Sequence, residues 1–342
     1  MIVLFSLMGC RKELCYDDHA NEVDLQLEVA YSLDWHLPWD ENWNDNWPDE
    51  WEVDWGAMKP GEPESVRLHT FDSDKATPVS NYNLARKGGR IGLNCGRYDM
   101  LLYNSDTEGV LFENMDAVSD ASATTRTHTR AAYSNRYPGE MLVSPPDILF
   151  AAYLPKYELV QPKDGQILHL KINVELTPRT WTYLIRYEFA AGQEYVDEAQ
   201  AYLSGMAGKV CLKDGCTNDD KVVTLLLNCS TSKYGVETIA RSFGLPGFDY
   251  QMVNEGAVDD RQALADVSTT NRLVLEMKLL SGKVKVVEFD VTDQLRRQPR
   301  GGVVVVKGIV VTKEEGQRPG GSGFEGDVND WEENIDIDVP IS

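Results

Sequence analysis

Val23-Asp24-Leu25-Gln26-Leu27-Glu28-Val29-Ala30-Tyr31-Ser32-Leu33-Asp34-Trp35 sets a large apolar side chain at every odd-numbered position, with acidic, amide and small residues between. Successive side chains of extended backbone point to opposite faces, so this pattern predicts a long strand with one buried face. Equivalent alternation recurs at Leu168, Leu170, Ile172, Val174 and Leu176, across Trp181–Phe189 and Leu273–Leu279, and at Ile335, Ile337, Val339 and Ile341. Val284–Val291 and Val303–Val311 read as strands rich in β-branched residues. Lys87-Gly88-Gly89, Asp164-Gly165, Asp214-Gly215 and Ser281-Gly282 supply turn signals between such runs. No stretch offers a long, capped amphipathic helix. The economical fold is all-β, built as sandwiches.

A chain of 342 residues has room for two domains. The best break lies near Pro155–Gln166, because Ile148–Leu154 is a short apolar strand and Lys163-Asp164-Gly165 opens a fresh alternating series. The expected organisation is a signal and tether over 1–22, a first sandwich over 23–160 with a Trp-rich acidic insertion at 35–60, and a second over 161–342. Gly316–Gly323 reads as a flexible Gly/Pro-rich loop. The formal charge of −22 argues against a nucleic-acid partner, whose phosphates it would repel.

Trp35, Trp39, Trp43, Trp47, Trp51 and Trp55 fall at every fourth position among Asp, Glu, Asn, Pro38 and Pro48. A spacing of four is even, so extended backbone would aim all six rings one way. In a helix the stripe drifts by about 40° per step, and Pro48 interrupts the run. The expectation is an extended or looped insertion with an aromatic side and an acidic side. Its rings either pack onto their own domain or, at Trp39, Trp43, Trp47 and Trp51, contact a glycan or protein partner.

Met1–Met8 is almost entirely apolar and is followed by Gly9-Cys10. A short apolar run, a small residue and then cysteine form the end of a bacterial lipoprotein signal, with the Cys10 thiol carrying lipid. At about 0.8 kcal/mol per buried CH₂, two or more chains would hold the protein to a membrane almost permanently. No run reaches the ~18 apolar residues of a spanning helix. The remaining cysteines, Cys15, Cys95, Cys211, Cys216 and Cys229, are odd in number and read as buried or idle thiols. A two-residue hairpin at Asp214-Gly215 would pair Lys213 with Cys216 and set Cys211 opposite Asn218, so a Cys211–Cys216 bridge would distort the ladder.

No catalytic constellation emerges. His19, His36, His69, His128 and His169 are scattered, no G-x-S-x-G elbow or phosphate-binding loop is present, and the abundant carboxylates show no specific pairing. Asp327-Val328-Asn329-Asp330 lacks the spacing of a calcium loop. The expectation is a protein without enzymatic activity, metal or cofactor.

Cys10–Asp18, Gly96-Arg97-Tyr98 with Tyr103–Val110, Ala201–Gly208, and Phe324–Trp331 followed by Ile335–Pro340 together resemble the fimbrillin-like lipoproteins of Bacteroides and relatives. The charged stretch after Cys10 is similar to the signal that sends such lipoproteins to the outer face of the cell. The resemblance implies two tandem transthyretin-like Greek-key sandwiches in a lipid-anchored outer-membrane protein. It further implies a fimbrium component, anchor or tip adhesin that joins other subunits by strand pairing. Val23–Trp35 would then be a removable first strand and Ile335, Ile337, Val339 and Ile341 a donor or terminal strand, unless each completes its own sandwich. The rival reading is a surface glycan-binding lipoprotein of a polysaccharide-uptake system, with the Trp strip as its platform.

Overall fold

A computed structural model describes residues 27–35, 43, 46–52, 54–59, 61–128, 140–160, 168–217, 221–250 and 269–318. The first strand, β1 (Leu27–Trp35), runs parallel to β11 (Leu168–Pro178), with Leu33 opposite Val174, and antiparallel to β4 (Gly88–Gly92). Hydrogen bonds continue from β11 through β10 (Phe150–Leu159), β5 (Gly96–Asn104), β2 (Ser65–Asp72) and β3 (Thr77–Ala85) to β4, so the sheet closes on itself as a barrel. Leu33, Val66, Leu68, Met100, Leu102, Phe150, Val174 and Leu176 fill it. Alternation explains the set: Met100 and Leu102 point in, whereas Leu101 and Tyr103 point out.

The outward face of β5 is covered as well. A small sheet of β6 (Val110–Glu113), β7 (Ser122–Thr125) and β14 (Val210–Cys211) brings Val110, Ala123 and Val210 against Leu101, Tyr103 and Phe71. Burial on both faces turns Met100–Tyr103 into a continuous apolar run.

Two further sheets form a sandwich. One runs β16 (Ser230–Ser232), β17 (Gly235–Ser242), β12 (Trp181–Ala191), β20 (Gly302–Val310). The other runs β19 (Val284–Asp290), β18 (Arg272–Leu279), β13 (Val196–Ala207), β15 (Val222–Asn228), β9 (Met141–Val143), β8 (Thr127–His128). Tyr183, Ile185, Tyr187, Val304 and Val306 from the first interdigitate with Leu203, Leu225, Leu273 and Leu275 from the second. Two short helices, α1 (Thr292–Arg297) and α2 (Lys313–Gly316), flank β20, and Leu295 of α1 is buried in the sandwich core. The protein is all-β, and the expected strands appear as β1, β11, β12, β18, β19 and β20. Ile335, Ile337, Val339 and Ile341 lie outside the described residues, as does Asp164-Gly165.

Two expectations change. The break near 160/161 falls between β10 and β11, which are neighbours in one sheet. The chain changes sheet at Arg179-Thr180 instead, between β11 and β12. The sequence break marked a connection between adjacent antiparallel strands, which looks the same locally as a domain linker. Each half also lends strands to the other: β9 pairs with β15, and β14 pairs with β7.

The Asp214-Gly215 hairpin is also replaced. Cys211 N–H donates to Cys216 O at 3.0 Å, so Cys211 faces Cys216 and not Asn218. Gly215, at φ +78°, forms a bulge beside Cys216 where a turn corner was expected.

Candidate functional site

Along β12, Tyr183, Ile185 and Tyr187 face the sandwich core, which turns Leu184 and Arg186 outward; along β20, Val303 and Val305 face the same way. This outer sheet face carries three aliphatic side chains and would be wet if nothing lay over it. The tryptophan segment lies over it. Trp43, Trp51, Leu184 and Val303 form one buried cluster, with Trp47, Trp55, Met58 and Tyr234 packed at its margin. Trp43 is 2% exposed and Trp51 6%.

The local backbone explains how a period of four meets a flat sheet. Trp43 and Asn46 are helical, not extended as the even spacing suggested. Trp43 and Trp47 stay on one side, with their rings in contact range of each other. Pro48 then ends that turn, and Trp51 N–H donates to Pro48 O at 3.1 Å. Asp54 caps the last turn, Trp55–Met58, through Gly56 N–H at 2.9 Å. The rings pack in series: Trp43 to Trp47 at 6.2 Å, Trp47 edge-on to Trp51 at 4.7 Å, and Trp51 to Tyr234 at 6.2 Å between centroids.

Arg186 sits under this strap. Its Cζ is 3.5 Å from the Trp51 ring centroid and 4.2 Å from that of Tyr234, and its Nε donates to Glu237 Oε2 at 2.9 Å. A guanidinium that is 3% exposed needs such partners, because aromatic faces and a carboxylate replace the water it has lost. At the strap's edge Tyr234 Oη accepts from Glu52 N–H at 2.9 Å, and Lys233 pairs with the Glu52 carboxylate. That pairing holds the Glu52 carboxyl below, and the Lys233 ammonium above, its ordinary pKa.

Of the residues singled out in the sequence, the fold brings Trp43, Trp47 and Trp51 together, joined by Arg186, Tyr234 and Glu237. No local pattern marks these three, each being one polar position in a strand or turn. Two rings of the strip therefore face the protein's own sheet rather than solvent. Trp39 and Cys10 lie outside the described residues. His69 is buried beside Tyr103, with Nε2 and Oη 2.9 Å apart, and His128 bonds Ser144.

A cleft of about 410 Å³ lies among Glu62, Asn104, Asp106, Glu108, Asp147 and Arg241. Its best-placed carboxylates hold the protein's own loops: Asp147 Oδ2 accepts from Glu108 and Gly109 N–H, and Asp106 Oδ2 from Glu64 N–H. Among the described residues no group of three or more His, Cys, Asp or Glu is placed to hold a metal ion. No helix among them is long and apolar enough to cross a membrane.

A family profile described as a domain of unknown function, DUF5119, matches residues 50–228, more than half of the chain. The chain belongs to the DUF5119 family. The DUF5119 region starts inside the tryptophan strap and ends with β15, so it takes in every barrel strand except β1 and the first sandwich strands.

No curated protein matches the sequence. Among solved structures, a candidate adhesin from Bacteroides ovatus superposes with a TM-score of 0.52 at 15% identity, over 90% of this chain and 100% of that one. The fimbrial anchor protein Mfa2 from Porphyromonas gingivalis gives 0.48 at 12% identity, over 82% and 90%. A candidate polysaccharide-binding protein from Bacteroides thetaiotaomicron gives 0.47 at 12%, over 82% and 90%. The Bacteroides ovatus adhesin and this DUF5119 protein share a fold.

Proposed function

We propose that this chain is a non-enzymatic, surface-displayed protein of the fimbrillin type, serving as a fimbrium component, anchor or tip adhesin. The likeness in fold to the Bacteroides ovatus candidate adhesin, over 90% of this chain, carries the reading. Cys10 is the lipid attachment point in an outer-membrane lipoprotein, and Ile335, Ile337, Val339 and Ile341 form the strand that pairs with another subunit. The physical basis for such pairing is available. The sandwich sheets end in β16, β20, β19 and β8, whose outer edges have no strand partner among the described residues. An alternating strand laid on such an edge gains backbone hydrogen bonds and side-chain pockets together. As for the first strand, β1 is paired on both sides within the barrel, which supports its retention.

The test is isolation of surface filaments from cells carrying the native chain or Cys10→Ala. The reading expects an acylated chain that co-purifies with filaments or their membrane base, and release of the variant into the soluble fraction. A native chain that is unmodified at Cys10 and absent from filaments and envelope would overturn it.

A further inference from the structure

Cys211 closes β14, and its neighbour Leu212 donates N–H to Ala121 O at 2.9 Å on the β7 side. The other side of Cys211 faces the returning chain. Its N–H donates to Cys216 O at 3.0 Å, and its carbonyl accepts from Gly215 N–H at 2.9 Å. Gly215 and Cys216 thus oppose one residue, with Gly215 in the left-handed conformation that this type of bulge assigns to glycine. Cys211 and Cys216 share one backbone hydrogen bond directly, since Cys216 N–H turns to Asp214 Oδ1 at 3.0 Å. Opposed residues of antiparallel strands stand about 4.5–5.5 Å apart at Cα, inside the roughly 4.4–6.8 Å that a disulfide spans. Both cysteines are free thiols in this structure and half-buried, so neither is sealed from a small reagent.

The loop between them holds the junction of the two halves. Arg179, where the chain passes from β11 to β12, donates Nε to Leu212 O at 3.1 Å and Nη2 to Lys213 O at 3.5 Å. The carbonyls that receive this buried guanidinium therefore sit inside the loop that Cys211 and Cys216 close.

We propose that Cys211 and Cys216 form a disulfide that fixes residues 212–215 around Arg179. In the first step the thiolate of one cysteine attacks a sulfur of a small-molecule or protein disulfide, forming a mixed disulfide and releasing one thiolate. The second cysteine's thiolate then attacks the cysteine sulfur of that mixed disulfide and expels the other thiolate. Both cysteine protons end on the released thiolates; the two cysteines are oxidised and the incoming disulfide is reduced to two thiols. Burial and the Asp214 carboxylate push Cys216 up to about 12 and raise Cys211 too. Thiols this basic are poor leaving groups, so a closed bridge resists attack by an external thiol.

The test uses the full native chain, equilibrated with oxidised glutathione, unfolded, alkylated at remaining thiols and cut with trypsin. Lys213 lies between the cysteines, so a bridge leaves Val210–Lys213 joined to Asp214–Lys221 as one species, two hydrogen atoms lighter than the sum. The expected result is that species, loss of alkylation at both cysteines, and its disappearance on reduction. The link should persist in Cys95→Ser, which removes the exposed thiol, and vanish in Cys216→Ser with Cys211 becoming alkylated. Alkylation of both residues in the native chain, separate glutathione adducts on each, or a link from either to another cysteine would overturn the proposal.

Discussion

The Arg186 guanidinium carbon lies 3.5 Å from the centre of the Trp51 ring, joining the N-terminal tryptophan segment to the central strand of a sheet formed by the C-terminal half. Buried cation–aromatic contacts contribute up to about 2 kcal/mol, and here the aromatic cover also keeps water from Leu184 and Val303. The strap thus closes the second sandwich, and the rings that face inward are unavailable to a flat ligand.

Trp51→Ala should accordingly cost about 3–5 kcal/mol, the usual range for losing a buried Trp. Trp47→Ala, half-exposed at the strap's margin, should cost about 1–2 kcal/mol in proportion to the smaller area covered. Urea unfolding of the two variants checks the order. A double-mutant cycle of Trp51→Ala with Arg186→Met should show coupling of about 0.5–3 kcal/mol. Equal losses at Trp47 and Trp51, with no coupling, would mean that the strap does not lie on the sheet.

Arg179 is buried, and burial brings its guanidinium down to about 10 even though Asp214, Cys211 and Cys216 act the other way. It donates to Thr177 Oγ1 at 2.6 Å, Pro178 O at 3.1 Å and Leu212 O at 3.1 Å. Arg179→Met keeps bulk but strands these acceptors, each worth about 1–3 kcal/mol when left unpaired. Arg179→Lys should recover only part of the loss, since an ammonium cannot reproduce the fork. Thermal unfolding that ranks Arg179→Lys equal to the native chain would contradict this.

Desolvation, aided by the nearby Arg67 charge, lowers the His69 pKa. The folded state therefore favours the neutral ring, while the unfolded chain binds a proton near pH 6.5. Stability from this group is complete above pH 6.5 and declines as pH falls from there towards the depressed folded pKa. Urea midpoints measured from pH 7.5 to 5 should fall, and His69→Gln should flatten the slope. An unchanged slope in the variant would assign the pH dependence elsewhere.

Asn104, buried at the end of β5, donates to Ile148 O at 2.9 Å and Asp106 Oδ1 at 3.0 Å, and accepts from Phe150 N–H at 2.7 Å. Asn104→Asp keeps the acceptor but loses both donors and sets a carboxylate beside Asp106. The expected destabilisation at neutral pH is about 1–3 kcal/mol. It should shrink as pH drops towards 4, because a protonated carboxyl regains a donor and sheds the repulsion. Circular dichroism melts at pH 7 and pH 4.5 would show the reversal or refute it.

The strands with one wet face were legible in the chain. Leu168–Leu176, Trp181–Phe189 and Leu273–Leu279 alternate because one side meets a core and the other meets water or a thin cover. β5 and β13 were harder to read, since Met100–Tyr103 and Ala201–Ala207 are buried on both faces and carry no period. The tryptophans announced themselves by spacing. Their partners did not, because Arg186, Tyr234 and Glu237 are far from them in the chain and meet them only after β12, β16 and β17 have paired.

By itself the sequence determined the all-β class, the positions of the half-buried strands and the presence of an aromatic segment, because each follows from periodicity along a short stretch. Only the tertiary structure decided where one sheet gives way to the next, what the tryptophan rings face, and that Cys211 opposes Cys216. The first two depend on which distant backbones exchange hydrogen bonds, a choice no local pattern encodes, as where β10 finds β11 and β7 finds β14. The third is a local turn in which a single glycine bulge shifts the pairing by two residues.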